Sequence, residues 1–317
     1  MDELHGFLFD GLPVRGQLVR LEAGWRELLA RRSGAPYAPP VRELLGELSA
    51  AAVLLQGSLG FDGVLELQLQ GAGPVRLAVA EVQADLRFRA TATVTGTVPE
   101  AAGLPALIDA RGQGRCTITL DPPPGAPGRQ RYQGVVALRD EHDRPLPRVA
   151  QLLQQYMRRS EQLDARLVLA ADERVAAGLL VQRLPAAGGS RPSGERAEDA
   201  PGGDEDFNRI AQLSATLRRD ELLTLDAETV LRRLYWQERV RRFEPRVPRF
   251  ACRCTRERVA GMLRSLGRAE IDSIVAEQGA VAVSCEFCGA AYRFDAVEAA
   301  QLCIPAADRP AAQRSIN

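Results

Sequence analysis

Two pairs of cysteines near the end of the chain, Cys252-x-Cys254 in "FACRCTRER" and Cys285-x-x-Cys288 in "VSCEFCGAAYRF", restrict its fold more than any other feature. Each pair offers two sulfurs from one tight turn, and a tetrahedral thiolate site for zinc needs two such turns brought together. Residues 255–284 must then leave one point and return to it. No histidine lies near, so the expected ligands of a single Zn2+ are the thiolates of Cys252, Cys254, Cys285 and Cys288. Gly289 relieves the backbone after the last of them, and Tyr292 and Phe294 can pack in the strand that follows. Four thiolates around one divalent ion leave net negative charge, which Arg249, Arg253, Arg256 and Arg258 stand close enough in sequence to offset.

Between the pairs the pattern reads as two short helices, near 256–266 and 269–277, and then a strand, "AVAVSC". So small a core is not stable unaided, and metal binding would supply on the order of 10 kcal/mol or more of its folding free energy. An oxidant that attacked the thiolates would remove ligands and fold together. Most four-cysteine zinc sites are nonetheless purely structural, and the spacing by itself establishes a metal site and not a switch.

Composition narrows the alternatives. The chain has 317 residues, 45% of them hydrophobic, which suffices for a large domain and a smaller one. Basic and acidic residues total 41 each, so no global excess of positive charge announces a nucleic-acid binder. Every cation is an arginine, which excludes a phosphate loop ending in Gly-Lys and a Schiff-base lysine. The start, "MDELHGFLFDGLPVRG", has acids where a secretory signal carries basic residues, and no apolar run of eighteen residues follows. The expectation is a soluble cytoplasmic protein whose thiols stay reduced, where clustered cysteines serve as metal ligands or redox sensors.

From about residue 12 to 184 strands alternate with helices. In "VLELQLQ" Leu65, Leu67 and Leu69 share one face, the period of a half-buried strand, and "VRLAVAEV" and "LRFRATATV" repeat it. Val41, Leu44, Leu45, Leu48, Ala52 and Leu55 form a helical stripe behind Pro39 and Pro40, and a second helix fits 147–162 with Val149, Leu152, Leu153 and Tyr156 inward. Catalytic groups are few: His5 and His142 have no neighbouring nucleophile, Gly71 and Gly73 and Gly112 and Gly114 precede strands as turns, and Cys116 is in step with Ile118 and Leu120 as a core residue. No catalytic or organic-cofactor site is expected, and neither Cys116 nor Cys303 is expected to bind metal.

The fold expected is α+β: a mixed, mostly antiparallel sheet with helices over 1–184, a flexible Pro/Gly/acid tether over 185–206, a metastable helical linker over 207–246, and a small zinc-binding domain over 247–317. In the linker Phe207, Ile210, Leu213 and Leu217 fall at helical spacing, and Asp226 can N-cap a helix carrying Val230, Leu231 and Leu234. Helices this short must lean on something.

These segments together resemble the redox-regulated 33-kilodalton heat-shock chaperones, which are bacterial holdases. "LPVRGQLVRLEAGW", "PPVRELLGELSAAAVLL", "GPVRLAVAE", "RRSEQL" and "GLLVQRLP" are similar to the family's first domain, "ELLTLDAETVLRRLYWQERVRRFEP" to its linker, and the two cysteine pairs with their surroundings to its zinc domain. The resemblance implies that Cys252, Cys254, Cys285 and Cys288 bind zinc when reduced and form Cys252–Cys254 and Cys285–Cys288 disulfides when oxidised. It further implies that oxidative stress releases zinc, unfolds the zinc domain and linker, forms dimers, and exposes apolar surface that holds unfolding clients without ATP. Two departures stand out: Leu163-Asp164-Ala165 replaces the family's usual proline and threonine, and the tether is long. Two other readings compete. One is a nucleic-acid-binding zinc module using residues 232–258, where ten arginines face Glu238, Glu244 and Glu257 with few interleaved aromatics. The other is a thiol–disulfide oxidoreductase using Cys285 and Cys288, which lacks the helix start that chemistry needs.

Overall fold

A computed structural model describes residues 1–32, 34–123, 125, 130–184 and 203–302. The expected tether at 185–202, and Cys303 with the residues after it, lie outside the described residues. The chain divides into two compact units, Met1–Ala251 and Cys252–Asn317.

In chain order the first unit comprises β1 (Glu3–Phe9), β2 (Val14–Leu21), α1 (Ala23–Ala30), α2 (Pro39–Leu59), β3 (Val64–Gln70), β4 (Val75–Gln83), β5 (Arg87–Val94), α3 (Leu104–Ile108), β6 (Arg115–Asp121), β7 (Tyr132–Ala137), α4 (Val149–Ser160), β8 (Ala165–Ala171) and β9 (Ala176–Arg183). Then come α5 (Gly203–Ala215), α6 (Arg219–Thr224), α7 (Ala227–Leu234), β10 (Val240–Arg242) and β11 (Arg249–Phe250). Two sheets form, in the orders β10-β1-β2-β9-β8 and β11-β5-β4-β3-β6-β7. Every pairing is antiparallel except that of β11 with β5. The fold is thus the α+β class expected, with a mostly antiparallel framework.

α2 lies between the two sheets and touches strands of both. Its sequence reads as one apolar stripe, yet Ala50, Ala51, Val53 and Leu54 are buried as fully as Leu45 and Leu48. A helix with a sheet on either side keeps little solvent face, chiefly Glu43 and its C-terminal Leu59, and small residues let the sheets approach: a Cβ on Gly46 would meet the Cβ of Ala171 at 2.3 Å. Pro39 and Pro40 open the helix, where a missing N–H costs nothing, and Gly60 closes it at φ 57°.

The β10-to-β8 sheet is covered on its other face as well. Leu4, Val19 and Leu180 point toward α2, while Phe7, Phe9, Val14, Leu18, Leu179 and Val181 point into a second core built with α5, α6 and α7. Phe207, Ile210, Leu217, Leu222, Leu223, Val230, Leu231, Leu234 and Tyr235 fill it. Burial on both sides explains why β9 reads as a nearly continuous apolar run. The helices of this layer have 13, 6 and 8 residues, too short to persist without the sheet face beneath them. α5 stops at Ala215, so Leu217 belongs to the turn before α6, but it is buried in the same core. Asp226 caps α7 as expected, its Oδ1 accepting from the Thr229 amide at 2.8 Å.

The second unit contains α8 (Arg256–Leu266), α9 (Arg268–Gln278), the hairpin of β12 (Ala280–Ser284) and β13 (Ala291–Asp295), and α10 (Ala296–Leu302). Its buried core is Ala260, Leu263, Ile271, Val281, Phe294 and Ala299. Six side chains, two of them alanine, bury too little apolar surface to offset the ordering of this many residues.

Candidate metal centre

Local structure puts each cysteine where its sulfur can meet the others. Cys252 and Cys254 lie just before α8, whose first turn is capped by the Thr255 hydroxyl accepting from the Arg258 amide at 3.2 Å. Cys285 and Cys288 occupy the turn between β12 and β13. There the Cys285 amide donates to the Ala290 carbonyl at 2.9 Å and the Gly289 amide to the Cys285 carbonyl at 2.8 Å. Gly289 has φ 69°, a left-handed conformation that favours glycine, which is why a glycine follows the second cysteine.

All four Sγ atoms lie within 4.8 Å of one another. Two contacts cross between the turns, Cys252 to Cys285 at 3.6 Å and Cys254 to Cys288 at 3.3 Å. Four sulfurs held about 2.3 Å from one tetrahedral ion would stand about 3.8 Å apart, so the spacing suits a single metal ion. The four are free thiols, as the much shorter sulfur–sulfur bond of a disulfide requires.

Their electrostatics are unequal. Burial pushes the Cys252 thiol up, but the Cys254 amide and the neighbouring thiols, donating to its sulfur, bring it down to about 7. Burial pushes Cys285 and Cys288 up, only partly opposed by nearby backbone amides, and the adjacent sulfurs push them further. Tyr292 is raised to about 12 by its hydrogen bond with the Cys254 side chain. Four sulfurs this close cannot all ionise against one another, and a divalent cation is the natural partner for the set.

Three of the arginines expected to offset that charge have partners of their own. Arg256 pairs with Glu298 at 2.8 Å and lies 4.2 Å over the Phe294 ring, and Arg258 donates to the Arg253 carbonyl at 3.1 Å. Arg249 belongs to the first unit, beside Asp85 at 3.6 Å. These contacts brace the fold around the cluster. Arg233 pairs with Glu221, Arg241 with Asp10 and Arg242 with Glu228, so part of the positive charge counted over 232–258 is offset by neighbouring acids.

Cys116 sits in β6, fully buried, and burial lifts its thiol to about 12. His5 contacts Glu3 at 2.9 Å, and His142 is exposed beside Glu141. The Gly71 and Gly73 turn packs against α3, where a Cβ on Gly71 would meet the Ile108 carbonyl oxygen at 2.0 Å.

Two arginines that sequence reasoning passed over hold the helical layer in place. Arg20 of β2 donates to the carbonyls of Leu222, Leu223 and Leu225 at 3.3, 2.9 and 3.2 Å, and to Glu22 at 2.7 Å. A cation is thereby set on the last carbonyls of α6, where a helix carries partial negative charge. Arg219 reaches the other way, to Glu43 of α2 at 2.8 Å and the Ala171 carbonyl at 2.5 Å. The sequence did carry a signal: Arg20 stands in step with Val14 and Leu18 on a face that is otherwise apolar.

A body with one sheet face roofed by its own short helices is followed by a small four-cysteine unit. The family model described as Hsp33 protein matches residues 2–295, and the chain belongs to the Hsp33 family. It is 42% identical to the "33 kDa chaperonin" of Chromobacterium violaceum over 301 residues, covering 95% of this chain and 93% of that one. It is 44% identical to the "33 kDa chaperonin" of Azotobacter vinelandii over 298 residues, covering 93% and 92%. The crystal structure of the 33 kDa chaperonin of Thermotoga maritima superposes with a TM-score of 0.71 at 20% identity, over 95% of this chain and 97% of that one, a likeness of fold.

Proposed function

We propose that the chain is a redox-regulated holdase that works without ATP, with Cys252, Cys254, Cys285 and Cys288 holding one Zn2+ in the inactive state. The observation that carries the reading is the convergence of four sulfurs in a unit whose core is too small to stand without them. Bound zinc supplies a link between the two turns and neutralises the thiolates. One thiolate of each pair then attacks hydrogen peroxide, forming a sulfenic acid and releasing hydroxide, and the second attacks the sulfenic sulfur and expels another hydroxide; each pair gives two electrons to one peroxide, and with two protons from solvent two waters leave. In line with the family, the products are the Cys252–Cys254 and Cys285–Cys288 disulfides. Disulfide sulfurs are poor ligands, so the four cysteines would no longer hold a metal and the second unit would lose the link between its two turns.

Release of the layer α5 to α7 follows in this reading. Those helices cannot persist alone, and the face they cover, with Phe7, Phe9, Leu18 and Val181, is the apolar surface that unfolded clients would meet. The reduced form suits a reducing compartment, the cytoplasm, and the oxidised form acts as a homodimer. The test is to treat the zinc-loaded protein with peroxide at elevated temperature while following zinc release and suppression of client aggregation together. The expected result is that both rise in step. Zinc release with no protection of the client would refute the holdase reading.

A further inference from the structure

Residues 239–246 form a strap along the free edge of β1. Arg242, Arg241 and Val240 stand opposite Phe7, Leu8 and Phe9. Beyond these, the Asp10 amide donates to the Arg239 carbonyl at 2.9 Å, and the Phe243 amide to the Gly6 carbonyl at 2.9 Å. Leu4 and Arg246 exchange amide–carbonyl bonds at 2.8 and 3.0 Å. The strap's side chains make surface contacts, Arg241 with Asp10 at 3.0 Å, Arg242 with Glu228 at 3.4 Å and Arg246 with the Gly57 carbonyl at 3.0 Å, and Phe243 is half exposed over Gly6. Beneath these exposed contacts runs a backbone ladder, which any extended sequence can make.

Phe7 and Phe9 on the same strand face the layer α5 to α7, with the Tyr235 ring edge-on to Phe9 at 4.9 Å. If that layer and the strap leave together, β1 is left with a row of unpaired amides and carbonyls directly beside an apolar face. We infer that the activated chain binds an extended segment of an unfolded polypeptide as an antiparallel strand on β1, in the place of residues 239–246, an inference that rests on the release proposed above. Backbone pairing fixes the segment without reading its sequence, and alternate apolar side chains of the segment fall beside Phe7 and Phe9. A client is thus recognised by extended conformation and spaced apolar residues. β11 offers no equivalent, since it pairs with β5 over only Arg249 and Phe250.

The test uses the oxidised full chain, a labelled unfolded client already bound, and synthetic peptides of residues 238–247 as competitors. One peptide is N-methylated at the Phe243 and Arg246 amides, which donate to Gly6 and Leu4. A second is N-methylated at Arg242 and Glu244, which fall between the bonded positions of the ladder. The unmodified and second peptides are expected to displace client, and the first to need about tenfold higher concentration. Equal displacement by both methylated peptides, or none by any of the three, overturns the inference. So does a peptide that splits an oxidised dimer while client stays bound, since the edge would then hold a second copy. A chain that binds no client before peptide is added refutes the release reading and this inference with it.

Discussion

Serine at Cys254 or Cys288 removes one sulfur from the cluster and leaves three thiolates around the site. Bound zinc is expected to fall from one ion per chain to near zero in metal analysis after dialysis. Cys116→Ser is expected to leave zinc unchanged while costing about 1–3 kcal/mol of stability in denaturant unfolding, because it puts a hydroxyl in a fully buried apolar site. Glu47 offers a test of a different kind. Burial raises its carboxyl from 4.5 to about 7, with Glu43 pushing it further up and Arg148 and Arg219 pulling it down. The unfolded chain therefore ionises first, so stability is fully present below about pH 4.5 and is lost as pH rises to about 7. Glu47→Gln, which cannot ionise, is expected to be more stable than the parent by about 2 kcal/mol at pH 8, after discounting for partial exposure, with the gap closing at pH 4.5. Thermal melts across that window would expose an error of sign directly.

Among elements, α6 is the one most dependent on named contacts. It is six residues long, and Arg20 alone answers two of its carbonyls and that of its C-cap, Leu225. Arg20→Met keeps the apolar stem and deletes the donors, and is expected to cost about 2 kcal/mol of local stability. Hydrogen exchange should quicken over residues 219–234 in the reduced, zinc-loaded protein, with zinc content unchanged; unaltered exchange there would deny the clasp its role. At this scale sequence and structure agree unevenly. The strand of Leu65, Leu67 and Leu69 and the cap at Asp226 were legible because period and capping are local properties. The burial of α2 on most of its circumference was not, because a helix between two sheets differs from a one-sided helix only in what surrounds it. The cysteine cluster was legible from spacing, whereas the engagement of Arg256 by Glu298 and Phe294 depends on how α8, α10 and β13 meet.

For the whole molecule, the difference between the units is a difference in what each has to lose. Chelation at neutral pH is expected to abolish the helical signal of α8 and α9 while the strands of the first unit keep their slow exchange, since α2 and both sheets share a core that includes no metal ligand. A chelated protein that melted as one cooperative unit would contradict that separation. Resetting follows from the sheet face that α5, α6 and α7 cover. Phe7, Phe9, Val14 and Leu18 belong to strands held from the opposite side by α2, so the face persists as a template whether or not its roof is in place. The roof is tethered to that template and competes for it at the high effective concentration of an intramolecular ligand. On the proposed reading, reduction of the sulfurs would set cargo and roof in competition for the same ground, with the tethered roof favoured by its effective concentration. Such a hand-off would need no nucleotide, because the chain would carry its own displacing ligand.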